Sequence, residues 1–286
     1  MGRIVKIQAR KRNTTAIASV NTRDEEPVSG SAVLEIARPI GIVKDIFSGD
    51  NDEGESIVAL SIESESEAGA TPRQASGQHR PSIFSPISAI GLVRAQVFRA
   101  KGAETIKVMD CRAGGNADSD EKSIVQGLWF ALKSWRPKVV TFGGCTHGLP
   151  TLRLASMRHG ITIPEWACHL DIDRPTGCGR NSIYHVDLKA ILTGDGLTEG
   201  GCTLDDVVKA IWGASWKNKD VSGRHMAEVN AALVFILYMR WRLFTGETEK
   251  KLHGEVIESL RGILREHAES NPAVAKLVKA WSIFQV

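Results

Sequence analysis

The chain has 286 residues, of which 42% are hydrophobic and 24% charged, a composition typical of a soluble globular protein. Its net charge of +3 is compatible with a polyanionic partner but excludes a protein that coats nucleic acid by charge alone. The longest apolar run, residues 231–239, falls well short of the roughly 20 residues that a membrane span needs, so we expect no membrane association. Five cysteines without close pairing favour reduced thiols and a cytoplasmic location.

Three regions are predicted along the chain. Residues 1–55 form an N-terminal extension or arm, which is basic at its start and is either a phosphate-contacting arm or simply a solvated tail. Residues 56–247 form the main domain, and residues 248–286 form a C-terminal helical tail.

The main domain begins with predicted strands at residues 57–63, 87–98 and 105–111, which favour a meander of neighbouring strands. Acidic residues at 118–121 open a helix whose apolar residues recur at helical spacing until Arg136-Pro137 ends it. A fourth strand over residues 138–142 and a helix over 149–158 follow. Strands that precede alternating helices and strands indicate a mixed sheet flanked by helices, an α/β domain.

The second half of the chain is mostly helical. After an irregular region at residues 161–181, residues 185–188 start a short apolar element and Thr203 caps another helix. Residues 224–244 predict a long, largely buried helix, and residues 247–267 and 272–284 predict two amphipathic helices.

A glycine-rich turn joins the fourth strand to the helix at residue 149. In α/β nucleases such a turn places a metal ligand at the mouth of the sheet, but here the turn holds His147 and Gly148. Gly143, Gly144 and Gly148 could cradle a phosphate through backbone N–H groups, or serve only the tight geometry of the turn. His147 could bind a phosphate or simply face solvent. A thiol nucleophile formed by Cys145 with His147 is not expected, because residues two apart seldom form such a pair.

Two arginines on the following helix are candidate phosphate ligands. Arg153 and Arg158 could contact a nucleic-acid backbone, although the stem of Arg153 also suits packing at the flank of a helix. We therefore group both arginines with His147 and the turn glycines as candidate nucleic-acid-binding residues.

Three stretches resemble the predicted 3′–5′ exonucleases that are similar to the exonuclease domain of family B DNA polymerases. They are residues 120–142, from DEK to WRPKVVTF; residues 149–161, LPTLRLASMRHGI; and residues 237–247, LYMRWRLFTGE. The segment HVDL at 185–188 also looks like a family segment. The similarity covers about residues 56–247 and implies a DnaQ-like, ribonuclease H-like fold.

The resemblance implies a site of four carboxylates that hold two Mg²⁺ ions, with a tyrosine that orients the attacking water. The family's first motif, Asp-Ile-Glu, aligns with Ser61-Ile62-Glu63, so Glu63 is the only family acid that is retained. The family aspartate before Leu-Pro aligns with Gly148, and the last aspartate aligns with Asn230. The orienting tyrosine aligns with Met226.

Charge then decides the expected chemistry. Two divalent ions bring a charge of +4, and the aligned positions supply the single negative charge of Glu63. We therefore expect no metal ligand set and no cofactor, in a degenerate exonuclease-like protein that binds a nucleic-acid strand or its 3′ end without cleaving it.

Two alternatives stay open. The first is an active nuclease with Mg²⁺ or Mn²⁺ held by substitute acids such as Glu65, Asp187 or Glu228. The second is a non-catalytic structural subunit whose C-terminal helices dock on a protein partner.

Overall fold

The computed structural model describes residues 54–64, 85–115, 119–170, 184–193, 202–216 and 223–285. The predicted arm at residues 1–55 lies almost wholly outside these residues, as does half of the irregular region. The strands are β1 (Glu55–Ser64), β2 (Ile87–Ala100), β3 (Ala103–Gly114), β4 (Lys138–Thr141) and β5 (His185–Asp187). The helices are α1 (Glu121–Trp135), α2 (Leu149–Arg158), α3 (Leu188–Thr193), α4 (Leu204–Trp212), α5 (Gly223–Phe244), α6 (Lys250–His267) and α7 (Pro272–Lys279).

The strands form one five-stranded sheet in the order β3-β2-β1-β4-β5. The first three strands are an antiparallel meander, whereas β4 runs parallel to β1 and β5 runs parallel to β4. The predicted mixed sheet of an α/β domain is therefore confirmed. Since β1, β4 and β5 are parallel, their carboxyl ends meet at one edge of the sheet.

Helices cover both faces of the sheet, as the alternation of side chains in β1 requires. Val58 and Leu60 face the core that α1 and α2 complete, while Ile57 and Ala59 face the core formed with α4 to α7. Local sequence sets the helix ends on the first of these faces. The Asp120 side chain caps α1 by accepting a hydrogen bond from the Ser123 N–H at 2.7 Å.

The C-terminal helices belong to the second of these cores. Buried apolar side chains of α6 and α7 pack with those of α5 and β3, and a short 3₁₀ turn at Trp281–Phe284 buries two further aromatic rings. The exposed large apolar side chains of the described residues all lie outside α6 and α7. No helix in these parts of the chain combines the length and apolarity needed to cross a bilayer.

One glycine lets α5 approach the sheet closely. A Cβ atom at Gly91 of β2 would lie 1.9 Å from the carbonyl oxygen of Ala227, so any larger residue would push the helix away. Gly91 is also the register partner of Ser61 in β1. The close approach therefore brings the middle of α5 over the end of β1.

Candidate functional site

A cleft lies at the carboxyl ends of β1 and β4. Its volume is about 400 Å³, and it is lined by the end of β1, the loop after β4, and residues of α3, α4 and α5. The four positions predicted to align with the family's carboxylates, Ser61, Glu63, Gly148 and Asn230, all line this cleft. The structure thus brings together residues that are up to 169 positions apart in the sequence.

Glu63 is held by hydrogen bonds from the other two polar members of this set. Its Oε1 atom accepts a hydrogen bond from the Ser61 hydroxyl at 3.0 Å and another from the Asn230 Nδ2 at 2.9 Å. Ser61 and Glu63 lie on one face of β1 because side chains in a strand alternate. Ser61 and Asn230 therefore donate hydrogen bonds to the Glu63 carboxylate and add no negative charge of their own to the cleft.

Gly148 leaves open space at the position predicted to align with a family aspartate. Its backbone is helical, with φ −58° and ψ −55°, and among the described residues a Cβ atom there would find only the Ile62 Cδ1 within 4 Å, at 3.5 Å. Met226 lies one turn before Asn230 on α5, is half-buried, and packs against the core. It is not among the residues that line the cleft.

Asp187, at the end of β5, fixes the loop after β4. Its buried carboxylate accepts hydrogen bonds from the N–H groups of Gly143 at 2.8 Å, Cys145 at 2.9 Å and Lys189 at 3.1 Å. The Gly143 N–H is therefore already engaged inside the protein. A phosphate that entered the cleft would have to displace this bond to use it.

The rest of the loop packs against a histidine. His185 of β5 is buried, with its Nε2 atom 2.9 Å from the Thr141 hydroxyl and its Nδ1 atom 3.6 Å from the Cys145 sulfur. A Cβ atom at Gly144 would lie 2.1 Å from the Thr141 Oγ1, so close packing requires glycine there. From the sequence, only the neighbouring His147 was weighed as a partner for Cys145. His185, which the sulfur contacts in the structure, is 40 positions away along the chain.

The other predicted nucleic-acid-binding residues lie at different distances from the cleft. His147 is exposed and lines the cleft, whereas Arg153 is half-buried on α2 and does not line it. Arg158 lies at the far end of α2 in a 2.7 Å ion pair with Glu121. That carboxylate also contacts His159 and accepts the Ile87 N–H, and these contacts hold the pKa of Glu121 below its usual value despite partial burial.

The donors of the cleft do not fit two divalent metal ions. Among the described residues that line it, Glu63 is the only carboxylate, and one of its oxygens already accepts two hydrogen bonds. Mg²⁺ binds through charged oxygens, which amide, hydroxyl and glycine positions do not supply. Within the described ranges, no three His, Cys, Asp or Glu side chains converge in a way that could hold a metal.

The acids proposed as substitute ligands are engaged elsewhere or lie outside the described residues. Asp187 holds the loop, as above. Glu228 is buried on α5, where it contacts His267 and accepts a 2.8 Å hydrogen bond from the Asn271 Nδ2. Glu65 follows directly after β1, outside the described residues.

Sequence reasoning missed one charged residue of the cleft. Lys189 on α3 lines it, and its Cδ atom lies 3.4 Å from the place where a Cβ at Gly143 would be. The only signal in the sequence was its position directly after the family-like segment 185–188.

The strand order, the parallel pairing of β1, β4 and β5, and the cleft at their carboxyl ends define a ribonuclease H-like nuclease fold. A family model described as a predicted 3′–5′ exonuclease related to the exonuclease domain of PolB matches residues 79–281. The chain belongs to this family. The match begins after β1, so Ser61 and Glu63 lie outside the matched residues, and it extends through α6 and α7.

Among solved structures, the family B DNA polymerase from the hyperthermophilic archaeon Pyrobaculum calidifontis is similar to the chain at 15% identity and a TM-score of 0.36. The similarity covers 76% of this chain but only 29% of that polymerase. No curated protein matches the sequence.

Proposed function

We propose that this protein binds a nucleic-acid strand, or its 3′ end, in the cleft and does not cleave it. The observation that carries the proposal is the donor set of the described cleft lining, in which a single carboxylate stands where two-metal hydrolysis needs four. Without the metals, neither the attacking water nor the leaving oxygen would be activated, because no other described group in the cleft supplies a comparable positive charge to both.

Retention of a binding site is supported by the state of the cleft. It stays open, with a volume of about 400 Å³, and none of the predicted carboxylate positions is filled by a bulky apolar side chain. Serine, asparagine and glycine leave room for a polar ligand, and the chain as a whole carries a net charge of +3. A cleft that served only packing would gain stability from apolar side chains that fill it.

The test incubates the purified protein with a 5′-labelled single strand in Mg²⁺, in Mn²⁺ and in EDTA. Each mixture is run on a denaturing gel, which shows shortening, and on a native gel, which shows binding. We expect a salt-sensitive shift and full-length strand in every buffer, since phosphate contacts release counterions. Metal-dependent shortening that Glu63→Gln abolishes and the exposed control Glu255→Gln retains would identify an active nuclease instead. If the gels show neither a shift nor shortening, the result would favour the alternative of a non-catalytic structural subunit.

A second arm tests whether missing carboxylates account for the lack of cleavage. The triple variant Ser61→Asp, Gly148→Asp, Asn230→Asp restores four acids around a space that can accept them. We expect it to bind Mn²⁺ in calorimetry while the natural sequence does not, because four carboxylates balance the charge of two divalent ions. Tight Mn²⁺ binding by the natural sequence would contradict the proposal.

A further inference from the structure

Lys189 is the one lysine or arginine among the described residues that line the cleft. Its backbone N–H donates a hydrogen bond to the Asp187 carboxylate, which also accepts the Gly143 N–H. Its aliphatic stem passes over Gly143, where the missing side chain leaves room for it. The position of the lysine is therefore fixed at its backbone and along its stem, while its ammonium group lies at the end of a flexible chain.

From this placement we infer that the Lys189 ammonium takes the place of the catalytic metals and binds a phosphate of the strand directly, without a divalent ion. The inference rests on the proposed function and specifies the chemistry of recognition. The ligand group is a phosphate near the 3′ end, either the last phosphodiester or a terminal phosphate, and the experiment distinguishes these two.

Charge balance supports this exchange. A cleft with four carboxylates repels a phosphate unless metal ions neutralise it, whereas here the described lining has one carboxylate, Glu63, and one lysine. The formal charges of these two lining residues cancel, so a phosphate meets weaker repulsion than four carboxylates would impose, even with the buried Asp187 carboxylate behind Gly143 and Lys189. The small number of acids and the presence of a lysine therefore act in the same direction.

An internal ion pair would be the competing role for this lysine. In the part of the chain that the structure describes, no carboxylate lies within ion-pair distance of the Lys189 ammonium, and Glu63 is instead bonded to Ser61 and Asn230. The lysine charge is thus not neutralised by Glu63. A half-buried lysine that lines an open cleft is suited to an anionic ligand that enters from solvent.

The experiment measures strand binding by fluorescence anisotropy with 3′-hydroxyl and 3′-phosphate oligonucleotides of one sequence, in EDTA and in Mg²⁺. The variants are Lys189→Met, which keeps the stem, Lys189→Arg, which keeps the charge, and Lys209→Met, which removes an exposed lysine of α4 outside the cleft. We expect the natural protein to bind in EDTA at least as tightly as in Mg²⁺, because Mg²⁺ competes for the phosphate.

Lys189→Met should weaken binding about tenfold, as the loss of one charge-assisted contact implies. The slope of log K against log salt should become shallower by about 0.7, the contribution of one single-strand phosphate contact. Lys189→Arg should retain most of the affinity, and Lys209→Met should match the natural protein. If the 3′-phosphate strand alone loses affinity in Lys189→Met, the lysine binds a terminal phosphate; if both strands lose it equally, the lysine binds the last phosphodiester.

Two results would overturn the inference while leaving the proposed function intact. One is binding by the natural protein that depends on Mg²⁺, and the other is unchanged affinity and salt slope in Lys189→Met. Failure of the natural protein to bind either strand in any buffer would instead overturn the proposed function, and this inference with it.

Discussion

Two glycines of the same turn have different physical reasons to be glycine. A Cβ atom at Gly144 would lie 2.1 Å from the Thr141 Oγ1 and 2.6 Å from its Cβ, whereas one at Gly148 would meet, of the residues described, only the Ile62 Cδ1 at 3.5 Å. Gly144 therefore serves close packing, and Gly148 leaves an unfilled position at the cleft. For both residues, the sequence alone left open a phosphate cradle or the tight geometry of the turn.

This difference predicts opposite effects of alanine. Gly144→Ala should lower the free energy of unfolding by about 2 kcal/mol, because the loop or Thr141 must move and Thr141 is bonded to His185. Gly148→Ala should leave the unfolding free energy unchanged or raise it by up to about 1 kcal/mol, since its backbone is already helical. Urea denaturation of the two variants gives the comparison, and equal destabilisation would show that the two positions are packed alike.

At the scale of elements, one carboxylate joins the end of β5 to the loop after β4 and to the start of α3. Asp187 accepts three backbone N–H groups, and its side chain is buried. The loop carries the Gly148 wall of the cleft, and α3 carries Lys189. The loop and the start of α3, two parts of the cleft lining, therefore depend on this single residue.

Asp187→Ala should lower the free energy of unfolding by about 3 kcal/mol, because it leaves three N–H donors without their acceptor. Amide hydrogen exchange of Gly143 and Cys145 should also become faster, as measured by NMR. Asp120→Ala is the control: it removes an exposed helix cap, which costs about 1 kcal/mol, and should leave exchange in the loop unchanged. Unaltered exchange in Asp187→Ala would mean that the loop is held by other contacts.

The elements themselves could largely be predicted from the sequence. Strands expected at residues 57–63, 87–98 and 105–111 are observed as β1 to β3, and the long helix expected at 224–244 is α5. Periodicity and caps mark such elements because these signals are local. The convergence of Ser61, Gly148 and Asn230 on the cleft could be predicted only through the family resemblance.

The interactions that fix the cleft left no comparable signal. Asp187 contacts residues 42 and 44 positions away, and the His185–Cys145 contact spans 40. Nothing in the spacing of a buried Asp, His or Cys shows which loop it will meet after the strands pair. Lys189 was missed for the same reason, because its place opposite Gly143 is set by the parallel pairing of β4 with β5.

At the scale of the whole molecule, two histidines connect the C-terminal helices to the domain. His267, at the end of α6, contacts the buried Glu228 of α5, and this hydrogen bond raises the pKa of His267 against partial desolvation, with Asp110 and Glu266 adding to the rise. His253, in the second turn of α6, is buried, and desolvation with the nearby Arg240 lowers its pKa. The two histidines therefore make the free energy of unfolding depend on pH in opposite directions.

For His267, the folded protein binds the proton more tightly than the unfolded chain. Its contribution to stability is complete below the ordinary value of 6.5 and is lost as pH rises through the raised folded pKa. For His253, the unfolded chain binds the proton more tightly, so stability is lost as pH falls below 6.5 through the lowered folded pKa. Between about pH 5 and about pH 8 we expect the free energy of unfolding to be highest close to pH 6.5.

Urea unfolding of the natural protein and two variants across this range tests the assignment. In His267→Gln, the free energy of unfolding should no longer fall as pH increases above 6.5, because the glutamine amide does not titrate. It should still increase as pH is raised from about 5 to 6.5. In His253→Gln, the free energy of unfolding should no longer increase as pH is raised to 6.5, but it should still fall as pH increases above 6.5. The His267 effect should also weaken in high salt, since its side chain is one-third exposed. A decline above pH 6.5 that survives in His267→Gln would place the responsible proton on another group and leave the contact between α5 and α6 without a role in the pH dependence.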